Sequence, residues 1–232
     1  LPDFSQVKSD HQIKNLSAFE TEYGEQRQFF QEATDLFEKG DLFYSRRIGR
    51  RPHHYYEVYD SLQAGEEISY NPNSAALINA TKIPGRFDNG LAIGVFNAVT
   101  NKMQAEITDS LGNTRKVTSE PLTNYNIIVL DKAMKNNSSM YFINTNTSRA
   151  DNWKSSNVSG AGVQLIDKSS TWQIEFDGAL SFLESKLNPL TDSLSSKPGY
   201  RYEAEFNKIK GHFQFSIEHE TKSENWDNND LG

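Results

Sequence analysis

Trp172-Gln173-Ile174-Glu175-Phe176-Asp177-Gly178-Ala179-Leu180-Ser181-Phe182 is the stretch that decides the fold. Trp172, Ile174, Phe176, Leu180 and Phe182 fall on one parity, and Gln173, Glu175, Asp177 and Ser181 on the other. Successive side chains of a strand point to opposite faces, so this segment has one apolar and one wet face. Two later stretches repeat the pattern. Tyr200, Tyr202, Ala204 and Phe206 alternate with Arg201, Glu203, Glu205 and Asn207, and Phe213, Phe215 and Ile217 alternate with His212, Gln214, Ser216 and Glu218. No strand is apolar on both parities, which excludes a doubly covered parallel sheet and favours antiparallel hairpins. The expected fold class is all-β: an antiparallel meander of hairpins, with a short irregular or helical N-terminal region.

Turn residues set the pairs upstream. Asp88-Asn89-Gly90 can take positive φ and joins Ala75–Gly85 to Leu91–Thr100 as a hairpin. The second strand is expected to run on from Met103 to Ile107 and turn at Asp109-Ser110-Leu111-Gly112-Asn113. It would return from Arg115 through Tyr125 to Leu130, an unusually long hairpin. Further pairs are Ile127–Asp131 with Met140–Thr147, Gly160–Asp167 with Trp172–Leu183, and Tyr200–Ile209 with His212–Thr221. Nearer the N-terminus, Ser17 and Glu20 form a capping-box signature, Phe29, Phe30, Leu36 and Phe37 share a helical spacing, and Gly40 is a stop. These predict a helix within residues 17–40. Gly24 interrupts it, and Gln26-Arg27-Gln28-Phe29-Phe30 suits equally an extended segment anchored by its aromatics. Residues 49–74 are expected to be a polar connection broken by Arg50-Arg51-Pro52, His53-His54 and Asn71-Pro72-Asn73. The organisation is thus an entry region over 1–74 and β-hairpins over 75–232.

One-sided strands fit a soluble sandwich or barrel with the apolar face inward, or an outer-membrane-type barrel with it turned to lipid. Trp172 to Phe182 spans about 33 Å at ~3.3 Å per residue, and a tilt of ~40° leaves about 25 Å, the height of a lipid-facing band. Typical soluble strands are nearer ~5–6 residues. Trp172 opens one strand, Phe182 closes it, and Tyr200 and Tyr202 open the next, as in an interfacial girdle. Composition bears on the same choice. Counted with Gly in place of Tyr, the apolar share is roughly 38%, against ~45–50% in ordinary soluble domains. Yet 12% of the 232 residues are aromatic, too many for a disordered chain. A polar lumen in place of a packed core accounts for both. Alternation and strand-end aromatics also occur in soluble sheets, so on pattern alone the two architectures stay open.

The formal charge of -7 argues against a general nucleic-acid binder. With 0 Cys there is no disulfide framework, thiolate metal site or cysteine nucleophile. No apolar run approaches the ~18 residues of a membrane helix. Leu1-Pro2-Asp3-Phe4 has neither the basic nor the apolar region of an export signal, so any such signal is expected to lie outside this chain.

The sharpest functional candidate is a lumen-facing polar row of Glu175, Asp177, Arg201, Glu203, Glu205 and Glu218, continued by Glu220. Such an acidic wall favours cations or neutral sugars. Solvated charges on an acidic sheet explain the same residues equally well. The matching lipid-facing or girdle set is Trp172, Phe176, Phe182, Tyr200, Tyr202, Phe213 and Phe215. No catalytic residue is expected, because Glu203 and Glu205 lie side by side rather than across a sugar, and there is no Gly-x-Ser-x-Gly elbow. No metal or cofactor is expected either. His53 and His54 point opposite ways in extended chain, and Asp227-Asn228-Asn229-Asp230 lacks the glycine and closing glutamate of a calcium loop. Arg46-Arg47 with Arg50-Arg51, the one basic cluster, suits a solvated loop better than a contact with lipid headgroups.

Pro2-Asp3-Phe4-Ser5-Gln6-Val7, Asn15-Leu16-Ser17-Ala18-Phe19-Glu20, Arg27-Gln28-Phe29-Phe30-Gln31-Glu32 and Leu42-Phe43-Tyr44-Ser45-Arg46-Arg47-Ile48-Gly49 together resemble the start of a family of unassigned function from Bacteroidetes and relatives. Ala80-Thr81-Lys82, Gly85-Arg86, Asn89-Gly90, Ile93-Gly94 and Asn97-Ala98-Val99-Thr100 resemble the family's first clear hairpin, and Glu120-Pro121-Leu122-Thr123-Asn124-Tyr125 the strand after it. Asp227-Asn228-Asn229-Asp230-Leu231-Gly232 is similar to a family loop that leads into another strand. His53 to Ser74 matches nothing in that pattern and is expected to be a surface loop. In that family a carbohydrate-binding module of the family-nine type precedes a long outer-membrane β-barrel. The resemblance therefore implies a partial barrel segment of a larger protein in a bacterial outer membrane, with lipid and carbohydrate or another small nutrient as partners. The function expected is non-catalytic, as a channel or surface scaffold. The alternatives are a soluble β-sheet binding module and a membrane-associated hydrolase with its catalytic residues outside this segment.

Overall fold

The computed structural model describes residues 24–151, 153–186, 194–228, 230 and 231. Short helices come first: α1 (Gln28–Gln31), α2 (Thr34–Phe37) and α3 (Glu57–Asp60). Among the described residues eleven strands follow: β1 (Glu66–Tyr70), β2 (Leu77–Arg86), β3 (Leu91–Thr100), β4 (Met103–Asp109), β5 (Thr114–Glu120), β6 (Thr123–Ala133), β7 (Ser139–Arg149), β8 (Ser155–Ile166), β9 (Trp172–Lys186), β10 (Leu194–Lys208) and β11 (Phe215–Lys222). Every pairing is antiparallel. The large sheet has the order β11-β10-β9-β8-β7-β6-β3-β2, and β1-β4-β5 form a small second sheet. Among the described residues the large sheet stays open, with β2 and β11 as its edges.

The hairpins follow from their turns. Gly90 sits at φ 82, and its neighbour Asn89 accepts the Leu91 amide on its side chain at 3.0 Å. A Cβ at position 90 would stand 2.9 Å from the Ala133 carbonyl oxygen, so glycine is required twice over. The Asp167 carboxylate accepts the amides of Ser169, Thr171 and Trp172 and closes the turn between β8 and β9.

Four expectations are corrected. The long hairpin does not form: β3 ends at Thr100 and pairs directly with β6, while β4 and β5 leave the large sheet to pair with each other and with β1. Asn101-Lys102 and Pro121-Leu122 are the corners, and proline cannot continue a ladder. The connection over 49–74 is not wholly irregular, since it holds α3 and β1. The helix over 17–40 is, in its described part, two single turns separated by Ala33 at φ 52. The capping pair Ser17 and Glu20 lies outside the described residues. Finally, β11 begins at Phe215, which leaves Phe213 in the preceding turn at 68% exposure rather than in a strand row.

Packing explains the broken helix. Phe30, Leu36, Phe37, Leu42, Phe43 and Ile48 are buried against one face of the large sheet, on Ala92, Phe96, Ala98, Ile127, Val129 and Ile143. A continuous helix presents one stripe, whereas this irregular segment spreads its side chains over several strands. Small residues on the sheet make room for it. A Cβ at Gly94 would meet the Phe37 ring at 2.9 Å, and one at Gly160 would meet Leu42 Cδ1 at 2.3 Å. Residues 24–49 thus form a plug on this, the inner face of the sheet. Arg27 ties it together by donating to the carbonyls of Ile48 at 2.9 Å and Ser45 at 3.0 Å. Glu25 receives the same guanidinium. Burial alone would raise its pKa, but hydrogen bonds from Arg27 and Ser45 outweigh that and hold it at about 2. A depressed carboxylate pKa stabilises above the ordinary value, and the contribution is lost as pH falls through the folded one. Glu25→Gln is therefore expected to lower the melting temperature at pH 7 and to narrow the gap between melts at pH 7 and pH 3.

Candidate functional site

The inner face of the C-terminal strands carries the acidic wall. Strand register places Gln164, Glu175, Glu205 and Glu218 in one cross-strand row. Gly162, Asp177, Glu203 and Glu220 form the next, and Gly160, Ala179, Arg201 and Lys222 the one after. The six expected lumen residues, Glu175, Asp177, Arg201, Glu203, Glu205 and Glu218, therefore share a face. Glu175, Asp177, Arg201 and Glu203 line a pocket of about 370 Å³ whose opposite wall is Glu38, Lys39, Gly40 and Asp41 of the plug. Glu205 and Glu218 lie beyond it, and Glu205 accepts Ser216 Oγ at 2.8 Å.

Electrostatics follow from the crowding. Burial raises the Glu175 pKa, reinforced by Asp177 and Glu205, and burial with Glu218 and Glu220 raises that of Glu203. Of the two pocket cations, Lys39 pairs with Asp131 at 3.4 Å, while Arg201 donates to the Gly40 carbonyl at 2.6 Å and offsets only part of the burial and like-charge effect on Glu203. Tyr141 hydrogen bonds to Asp177, and burial followed by that bond pushes its pKa up. A Cβ at Gly162 would collide with both partners, at 2.3 Å from Asp177 Oδ1 and 2.4 Å from the Tyr141 ring, so glycine keeps this contact. Among the described residues no group of three or more His, Cys, Asp or Glu side chains is arranged to hold a metal ion.

The other face of the same strands is apolar and, among the described residues, uncovered. Ile174 is 52% exposed, Phe176 45% and Leu180 50%. Of the expected girdle, Trp172, Phe176, Phe182, Tyr200, Tyr202 and Phe215 lie on this outer face. Phe213 stands outside the ladder but keeps ring contact with Phe215 at 5.8 Å. Trp172 stacks on Phe206 at 5.4 Å and meets Phe215 edge-on at 6.2 Å. The apolar surface continues over the neighbouring strands as Leu165, Met140, Phe142, Leu130, Ile128, Val95 and Ile83, all exposed. On β3 and β6 it stops at Asn97 and Asn126, which stand in register with Asn146 and Asn157 of β7 and β8. Asn97 donates to the side chains of Asn124 at 2.7 Å and Asn126 at 2.8 Å, and Asn144 to Asn157 at 3.0 Å.

A third cluster was not legible in the sequence. His53 and Arg50 from the entry region, Glu120 at the end of β5, Arg149 at the end of β7 and Asp230 near the C-terminus meet where the two sheets diverge. The His53 amide donates to Glu120 at 2.7 Å, its Nδ1 lies 3.1 Å from the same carboxylate, and its Nε2 lies 3.6 Å from Asp230. Arg149 donates two bonds to Asp230, at 2.7 and 3.3 Å. These partners are 67 and 81 residues apart in sequence, and no local pattern marks such a contact.

Among the described residues, fold and faces define an open, all-β antiparallel sheet, plugged on an inner face with an acidic end and apolar and uncovered on the outer one. The chain belongs to the family described as a domain of unknown function (DUF5916), whose family model it matches over residues 1–232. Neither the curated proteins nor the solved structures gave a match.

Proposed function

We propose that the chain is a non-catalytic segment of an outer-membrane-type β-barrel whose outer face meets lipid and whose acidic inner wall serves a channel or surface scaffold. The observation that carries this reading is the slant of the apolar band. On β3 and β6 the last polar row is Asn97 and Asn126, and the first apolar one is Val95 and Ile128. On β7 and β8 the border lies one row further on, between Asn144 with Ser159 and Phe142 with Ala161. By β11 it lies between His219 and Ile217, whose partners on β10 are Ala204 and Phe206. The border therefore climbs three rows over six strand steps. At ~3.4 Å per residue and ~4.8 Å per step this is about 20 Å in about 29 Å, a slope of about 35°. Strands of outer-membrane barrels tilt by ~35–45°, and a level lipid belt crosses them at that slope. β9 and β10 depart from it, with Leu180 and Phe182 on the one and Tyr200, Tyr202 and Ala204 on the other carrying apolar surface past the border.

The plug narrows what such a barrel can conduct, because it covers the inner face of β3, β6 and β7. What is left is the acidic opening beside β8 to β11, suited to cations or uncharged polyhydroxylated solutes. The family resemblance adds the carbohydrate or nutrient connection, the larger parent protein and the bacterial outer membrane. Planar-bilayer recording on the full-length parent tests the channel. Small cation-selective steps, or blocking by added sugar, are expected, and Glu203→Gln with Glu205→Gln is expected to lower cation selectivity at least twofold. No conductance and no sugar effect would remove the channel and leave the scaffold. Unchanged selectivity in the double variant would remove the acidic-lumen assignment.

A further inference from the structure

The C-terminal segment, residues 223–228 with Asp230 and Leu231, runs back across the inner face as a strap. It begins where the Ser223 amide donates to the Tyr200 carbonyl at 2.9 Å, and it passes so close to β10 that a Cβ at Gly199 would stand 2.3 Å from the Asn225 carbonyl oxygen. The Asp227 amide then donates to Ser181 Oγ at 3.3 Å, and Asp227 pairs with Lys154 at 3.2 Å. Asn228 donates to the plug carbonyl of Asp41 at 3.3 Å. Asp230 reaches Arg149 at 2.7 Å, and Leu231 is 2% exposed in the core that the plug shares with the sheet. The strap thus lies over both plug and sheet, and its far end is held by the His53 cluster.

We propose that His53 is a proton-operated latch that clamps this strap over the plug. Two arrangements of the ring are available. Neutral His53 with its proton on Nδ1 donates to Glu120 and accepts Arg50 on Nε2, the contact the structure shows. Protonated His53 has no acceptor left for Arg50. Its Nε2–H turns to Asp230, so the ring bridges Glu120 of β5 and Asp230 of the strap. The groups facing it are Glu120, Asp230, Arg50 and Arg149, with buried Tyr125 behind them. Burial lowers the His53 pKa, and the hydrogen bonds to Asp230 and Glu120 more than reverse this, leaving it above the ordinary 6.5. A raised pKa places the bridging contribution below the unfolded value and removes it as pH climbs through the folded one. The latch therefore closes on the acidic side and opens on the alkaline side. Arg149 keeps Asp230 paired in both states, so opening loosens the strap without unfolding it.

With 0 Cys in the chain, a single Glu224→Cys change gives one nitroxide site on an exposed strap residue. Its spectrum, taken on the full chain from pH 5.5 to 9, reads strap mobility directly. The mobile fraction is expected to rise severalfold across a single transition above pH 6.5. His53→Gln is expected to flatten that transition with the strap loose throughout, and His53→Lys, which keeps a positive charge, to flatten it with the strap held. A transition that persists in either variant, or a label insensitive to pH in the parent chain, would overturn the latch.

Discussion

Replacing Phe96 by alanine is expected to lower the free energy of unfolding by about 3–5 kcal/mol, the range for a large buried ring whose neighbours cannot close the hole. Phe96 is 1% exposed, and four plug rings converge on it: Phe43 at 5.5 Å, Phe30 at 5.9 Å, Phe37 at 6.2 Å and Phe29 at 6.3 Å. It touches both turns of the plug and the stretch after them. Losing it removes the ring's own burial and leaves a cavity among side chains fixed to different strands. Chemical denaturation of the folded chain measures the effect, with Leu111→Ala, at a turn position 88% exposed, as the near-neutral control. A cost below about 1 kcal/mol would mean that the plug does not pack as described.

Phe176→Arg has the second largest expected effect, and its size depends on what the outer face meets. Phe176 stands inside the apolar band on β9, between Gly178 and Ile174 of the same parity. In a bilayer an arginine near the middle of the band costs ~2–4 kcal/mol. On a water-facing sheet the same substitution stays within about 0.5 kcal/mol. Asn126→Arg, on the polar side of the border, provides the internal comparison and is expected to cost ~0–1 kcal/mol in lipid. Folding titrations in vesicles read both values. Equal, small costs at the two positions would mean that the border does not follow a membrane.

What could be read from the sequence was whatever local chemistry controls. Alternation from Trp172 to Phe182 gave β9 its faces, and Asn89-Gly90 gave the first hairpin, because side-chain period and turn dihedrals are set within a few residues. The inner set Glu175, Asp177, Arg201, Glu203, Glu205 and Glu218 was legible for the same reason: parity alone assigns a face. The excursion of β4 and β5 was not. Arg115 to Leu130 continues the strand pattern straight through Pro121, and only pairing with β1, through Ile68 and Ile107, draws the hairpin into a second sheet. The plug was half legible. Phe29, Phe30, Leu36 and Phe37 were marked as anchors, but their partners Phe96 and Ile127 are remote in sequence, and those partners decide that the helix breaks at Ala33. His53 looked like a loop residue for the same reason, since Glu120 and Asp230 reach it only through the fold.

The most direct test of the central claim uses the tryptophans as depth probes. Trp172 lies on the outer face within the apolar band, and Trp226 lies on the inner side, packed against the core and under Arg201 at 5.8 Å. Variants that keep only one of the 3 Trp can be folded into vesicles whose acyl chains carry bromine, a short-range quencher. If the outer face meets lipid, Trp172 emission is strongly quenched and Trp226 emission is not. Quenching of Trp172 no greater than that of Trp226 would contradict the account and turn the apolar face away from the membrane.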